Sequence, residues 1–160
     1  MFTDFVRPMQ PGEEWAVDTL VSTSFQGDAE ARLVQLLRKS GDMAGEMVLP
    51  MGDEIIGYYA LSTMRAPKSW LALAPVAIHP DHQGRGHGRR MLGQLTSWAQ
   101  AAGRWVVVLG APEFYTRCGF DLGRAAKLTS PYPITHTLLA GPGADVPEAA
   151  LTYPKAFDAL

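Results

Sequence analysis

The sequence predicts an α+β fold in which one domain, spanning 1–160, carries a mixed sheet of about seven strands with helices on both faces. Three observations predict it. First, Leu71–Ile78 is short and almost wholly apolar, as a strand buried on both faces is. It runs through a glycine loop, Gln83-Gly-Arg-Gly-His-Gly88, into a helix with apolar residues at Leu92, Leu95, Ala99 and Ala102. Second, Glu46–Met51 and Ile55–Met64 flank Gly52-Asp-Glu, the mark of a hairpin. Third, the element order β-αα-βββ-α-β-α-ββ is neither strictly alternating nor all antiparallel, which indicates a mixed sheet with helices on both faces.

Each element has its own local reason. Phe2–Pro8 alternates and reads as a first strand. Pro11-Gly-Glu-Glu opens a helix with acids in its first turn, where the dipole favours them; Trp15, Leu20 and Val21 supply an apolar side up to Phe25. Asp28 is a good N-cap for a second helix through Lys39, with Leu33, Leu36 and Leu37 inward, and Ser40-Gly41 ends it. After the hairpin and the buried strand, the loop and the long helix reach Gly103. Trp105–Leu109 is the fifth strand, Phe114–Cys118 a short helix stopped by Gly119, Phe120–Leu122 a sixth strand and Thr135–Leu139 a seventh. Tyr153–Phe157 forms a terminal turn or helix.

Composition narrows the functions. Fourteen basic and sixteen acidic residues are interspersed and give a formal net charge of −2, against the basic face that nucleic-acid binding needs. One cysteine excludes an intrachain disulfide framework and suits a reducing cytosol. No run approaches the about 20 apolar residues of a membrane span, and the first residues do not form a signal peptide. These features together lead us to expect a cytoplasmic protein that is a monomer or homodimer.

The glycine loop carries the chemistry. A loop opening a helix after a buried strand presents several backbone N–H groups at the positive end of a dipole, a site suited to phosphate or pyrophosphate. The Walker pattern fails for want of Gly-Lys-Ser/Thr. The dinucleotide pattern fails because Arg89 stands where a small residue is needed and the next strand bears no acid for a ribose. What fits is Gln-x-x-Gly-x-Gly at Gln83, Gly86 and Gly88. One helix and one strand later comes Phe114-Tyr115-Thr116-Arg117-Cys118-Gly119-Phe120.

With that element order, these two motifs resemble the GNAT superfamily of N-acyltransferases. Ala29, Leu33, Val34, Leu37 and Arg38, the Leu73-Ala-Pro run and the tail Tyr153-Pro-x-Ala-Phe157 resemble its YhbS-like bacterial branch. The resemblance implies a mostly antiparallel sheet splayed between strands 4 and 5. It also implies acetyl-CoA as cosubstrate, coenzyme A as product, and an unidentified amine of a small molecule or protein as acceptor. Val76, Ala77 and Ile78 would meet the pantetheine arm through their backbone. Gln83, Gly84, Arg85, Gly86, His87, Gly88 and Arg89 would meet the phosphates. Tyr115 would protonate the departing thiolate, since a phenol is protonated at neutral pH.

Other residues are weighed against bland roles. The buried strand bears no carboxylate to serve as general base; Asp28, Glu30, Glu46 and Glu54 read better as cap or surface residues. His79-Pro-Asp-His82 has some metal-like spacing, but Pro80 breaks any helix that would align the pair, and no metal is expected. Cys118 reads as a small buried residue, so transfer is expected to be direct. The alternative class is an acyl-CoA-binding sensor or structural subunit without turnover, and a dinucleotide oxidoreductase stands further off.

Overall fold

The computed structural model describes residues 4–160, so Phe2 and Thr3 of the expected first strand lie outside the described residues. Within the described residues that strand is Arg7–Pro8 (β1), paired antiparallel with Val48 and Met47. Helix α1 is Glu14–Phe25. It buries Val17, Leu20 and Val21, a stripe at helical spacing. This leaves Trp15 on the opposite side, 78% exposed, and corrects the expectation that it lies on the inner face. Helix α2, Ala29–Ser40, buries Leu33, Val34 and Leu37 and ends at Gly41. Asp28 precedes α2, but its side chain makes no capping hydrogen bond.

The hairpin is Met43–Met51 (β2) and Glu54–Thr63 (β3), and the buried strand is Leu71–Ile78 (β4). Helix α3, His87–Ala102, starts two residues before the expected Arg89 and so begins inside the glycine loop. Strand β5 is Val106–Leu109 and helix α4 is Pro112–Arg117. The expected strand at 120–122 is reduced to a bridge between Asp121 and Leu139. Its continuation is curtailed because the Asp121 carboxylate accepts from the Arg124 N–H and a 3-10 turn begins at Gly123–Ala125. Leu128–Thr129 (β6) and Ala149–Ala150 (β8) instead form a small parallel ribbon, and Thr137–Ala140 is β7.

Among the described residues the main sheet therefore has six strands, in the order β1-β2-β3-β4-β5-β7, rather than seven. All its pairs are antiparallel except β4–β5. Helices α1 and α2 cover one face, where Val17, Val21 and Val34 are clustered with Tyr58 and Ala77. Helix α3 covers the other, with Met91, Leu92 and Leu95 in one cluster with Leu73, Val106 and Leu138.

Two features of β4 create the site. It pairs with β5 only at Leu71–Val106, Ala72–Val107 and Leu73–Val108, and β4 then runs on to Ile78 while β5 stops at Leu109. The strands are splayed as the resemblance implied. Between Leu73 and Val76, β4 also bulges against β3: Leu73 is opposite Leu61, yet Val76 is opposite Tyr59. Pro75 lies in the bulge, where a missing N–H costs no ladder bond. As a result Leu71, Leu73, Val76 and Ile78 all belong to the α3-side core although 73 and 76 are three apart.

Candidate active site

The free edge of β4, the start of α3 and the short helix α4 enclose a cleft of about 540 Å³. Alternation along β4 decides which backbone groups face it. The His79 N–H donates to the Ile56 carbonyl of β3 at 2.8 Å. Counting back by two, the backbone of Ala77 also turns to β3, and that of Val76 and Ile78 turns to the free edge. The Ile78 carbonyl agrees: it accepts from the Ser24 hydroxyl at 3.0 Å and from the Gln83 amide at 2.9 Å.

The sequence-derived residues divide accordingly. Val76 and Ile78 form the strand wall of the cleft, and Gln83, Gly84, Gly86, His87, Gly88 and Arg89 its loop and helix wall. Ala77 is not on the wall; it is buried in the cluster on the α1 face. Arg85 is exposed and outside the lining. Gly86 is the residue just before α3, with φ of 81°, and a Cβ built there would meet nothing within 4 Å. Gly88 is different: a Cβ there would come within 3.2 Å of the Phe114 ring. Its bareness lets α3 and α4 approach.

Tyr115 also lines the cleft. Its ring stands edge-on to Phe114 and Phe120, with centroids 5.0 and 5.9 Å away. Burial pushes the hydroxyl's pKa up to about 12, so the phenol keeps its proton at neutral pH. Three other wall residues, His82, Phe114 and Arg117, do not stand out as site residues in the sequence. A signal exists for two of them, since Phe114 and Arg117 flank Tyr115 on one short helix.

His87, read from sequence as a phosphate contact, has a buried side chain whose Nδ1 lies 2.7 Å from Arg90 Nη2. A guanidinium only donates, so Nδ1 offers its lone pair and the ring is neutral. Burial first, then the nearby Arg90, His82 and Arg85, hold its pKa below the ordinary value.

Among the described residues no carboxylate lines the cleft. Glu46 instead accepts from the Tyr58 hydroxyl at 2.7 Å and from Arg38 at 3.0 Å, and Arg38 also pairs with Asp18. Cys118 is 2% exposed; its thiol donates to the Phe114 carbonyl at 3.3 Å, and burial pushes its pKa up to about 11. His79 and His82 have ring centroids 5.8 Å apart, and no group of three or more His, Cys, Asp or Glu among the described residues is arranged to hold a metal ion.

The sheet is forked between two parallel strands with a glycine loop opening a helix beside the fork, the arrangement that the sequence resemblance to N-acyltransferases implied. Residues 45–122 match the acetyltransferase (GNAT) domain family. The chain is 32% identical over 140 residues to the uncharacterized N-acetyltransferase YhbS of Escherichia coli strain K12, covering 82% of each. The chain therefore belongs to the GNAT family of N-acetyltransferases. Among solved structures, E. coli YhbS in complex with CoA superposes with a TM-score of 0.81 at 26% identity, over 96% of this chain and 91% of that one. A Brucella melitensis GNAT family acetyltransferase in complex with acetyl-CoA shares the fold, with a TM-score of 0.80 at 23% identity over 98% and 99%.

Proposed function

We propose that this protein transfers the acetyl group of acetyl-CoA to a primary amine of a small molecule or a protein, by direct attack. The observation that carries the proposal is the cleft between the free β4 edge and the start of α3, where open backbone groups and a glycine loop meet Tyr115. The CoA and acetyl-CoA complexes of its structural relatives support the choice of cosubstrate.

The residues fit such a cosubstrate. The left-handed Gly84 and Gly86, with φ of 76° and 81° and open space where a side chain would stand, leave N–H groups near the α3 N-terminus for a pyrophosphate. Arg89 on the wall adds positive charge. The outward backbone of Val76 and the outward N–H of Ile78 are free of β5 and suit an extended amide-bearing arm. In this reading the Val76 N–H steadies negative charge on the thioester oxygen.

Acetyl-CoA supplies an activated carbonyl carbon. The ammonium form of the amine must first lose a proton to solvent; its nitrogen then bonds to that carbon, gives up a second proton to solvent as the amide forms, and the carbon–sulfur bond breaks. The leaving thiolate takes the Tyr115 proton, and solvent returns one to the phenol. No carboxylate is needed on the wall if water carries the amine's proton. The buried, protonated Cys118 thiol is unsuited to hold the acetyl group, which favours transfer without an acyl-enzyme.

The test is a thiol-release assay with acetyl-CoA and a panel of amines. Amine-stimulated release with intersecting initial-rate lines is the expected result. Parallel lines, or acetate recovered on Cys118, would establish a ping-pong route instead. The lack of a carboxylate among the residues lining the cleft favours one second reading, an acyl-CoA-binding sensor. Tight CoA binding with no release across the panel would select it.

A further inference from the structure

The Ile78 carbonyl is the meeting point of three segments that are distant in sequence. It closes β4, and it faces the free edge, so β3 cannot satisfy it. Ser24, on the last turn of α1, donates its hydroxyl to this oxygen at 3.0 Å. Gln83, the first residue of the glycine loop, donates its side-chain amide to the same oxygen at 2.9 Å. Both lone pairs are thus used, one by the helix that leads into the α1–α2 connection and one by the loop. Gln83 lines the cleft, yet one N–H of its amide is given to the strand rather than to a ligand.

We infer that Ser24 and Gln83 are positioning residues which, by sharing the Ile78 carbonyl, brace the glycine loop and the end of α1 against the end of β4. The inference rests on the acyl-CoA reading of the cleft for its functional consequence. A glycine loop is conformationally costly to order, because each residue has many backbone states to lose. With Gly84 and Gly86 both in the left-handed region, the loop has little side chain of its own to hold it. The Gln83 amide anchors its first residue; α3 anchors its last. The hydroxyl of Ser24 fixes the carbonyl at which Gln83 is aimed, and so ties the connection at 26–28 to the same point. Order supplied beforehand is order that ligand binding need not supply, which appears as affinity.

Two measurements on the intact protein test this: amide hydrogen exchange of the loop in the CoA-free state, and the Kd for CoA. The variants are Gln83→Leu, which keeps size but removes the donor, Ser24→Ala, which removes the hydroxyl, and Ser24→Thr, which keeps it. We expect Gln83→Leu and Ser24→Ala each to speed exchange at Gly84, Gly86 and Gly88 and to raise the CoA Kd by about 3- to 10-fold, the worth of one ordinary hydrogen bond. Ser24→Thr should restore both quantities to within about 2-fold, which a general loss of packing would not allow. Loop exchange and Kd at wild-type values in Gln83→Leu and Ser24→Ala would overturn the brace. Faster loop exchange in a protein whose wild type binds no CoA would keep the brace and overturn the acyl-CoA reading.

Discussion

At the scale of single residues, two neighbouring glycines serve different ends. Gly86 is bare because its backbone is left-handed, while Gly88 is bare because Phe114 stands beside it. Gly86→Val puts a β-branched residue at a φ of 81°, which costs the fold about 1–2 kcal/mol, and blocks the space above the loop. We expect its CoA affinity to fall at least about 10-fold, measured by titration at a temperature where the variant is folded. Gly88→Ala should instead push α4 outward and act through Tyr115, lowering turnover more than CoA affinity. Tyr115→Phe keeps the ring against Phe114 and Phe120 and removes only the hydroxyl. We expect kcat to fall about 10- to 1,000-fold with CoA affinity changed less than about 3-fold. Because burial holds the phenol pKa near 12, turnover should show no loss from its ionisation until the pH passes about 11. Wild-type turnover in Tyr115→Phe would reduce Tyr115 to a packing residue.

At the scale of elements, the junction of α3 and α4 is the part most exposed to a small change. The Thr96 hydroxyl of α3 donates to the Cys118 carbonyl at 2.7 Å. Gly119 is next, with φ of 101°, and a Cβ there would collide with Thr96, whose own Cβ would be 3.0 Å away. Thr96 cannot yield without breaking its bond to Cys118. Gly119→Ala should therefore lose about 2–4 kcal/mol, from left-handed strain plus overpacking, read as a lowered urea midpoint at unchanged slope. This junction was legible in the sequence as the motif Phe114–Phe120, and the long helix and the hairpin were legible from period and turn residues. Less so were the sheet's last strands. Phe120–Leu122 has strand composition, but the Asp121 carboxylate starts a turn, and no local signal says which of the two prevails. Trp15 misled for a related reason: apolar character alone does not say which stripe of a helix faces inward, and Val17, Leu20 and Val21 decided it. Of the candidate site, the loop and Tyr115 could be picked out from the sequence as motifs, and they line one cleft. The place of Ala77 could not, because it depends on a bulge that only pairing reveals.

At the scale of the whole molecule, buried titratable groups set the pH range of the fold. Burial pushes Tyr59, Tyr115 and Tyr153 up to about 12. An unfolded tyrosine releases its proton near pH 10, so between about pH 10 and 12 the folded chain holds more protons than the unfolded one. Stability from these residues is complete below about pH 10 and is lost as the pH climbs through about 12. His87 works in the other direction: its folded pKa lies below the ordinary 6.5, so its contribution is present above that value and is lost as the pH falls below it. Urea denaturation across about pH 5 to 11 should show a plateau with both shoulders, and His87→Leu should soften the acid shoulder alone. An acid shoulder unchanged in His87→Leu would assign it to other groups.

The bulge in β4 can be regarded as a phase slip in a wave of period two. Before it, the crests that point toward α3 fall on odd numbers, Leu71 and Leu73; after it they fall on even ones, Val76 and Ile78. One supernumerary residue, absorbed in the bulge, shifts the numbering by half a wavelength and leaves the rest of the strand in phase with its neighbours. Excising Ala74 would restore the regular count without turning anything over: Leu73 would still face Leu61 and Val76 still face Tyr59, so Val76 and Ile78 would keep the inner edge of the fork and Ala77 its place under α1. What would change is Pro75, which would fall opposite Ala60 with its missing N–H turned toward β3. The bulge is thus a siding in which a proline is parked beside an inner strand, and a deletion of Ala74 moves that proline onto the main line: the ladder loses a rung while the fork keeps its lining.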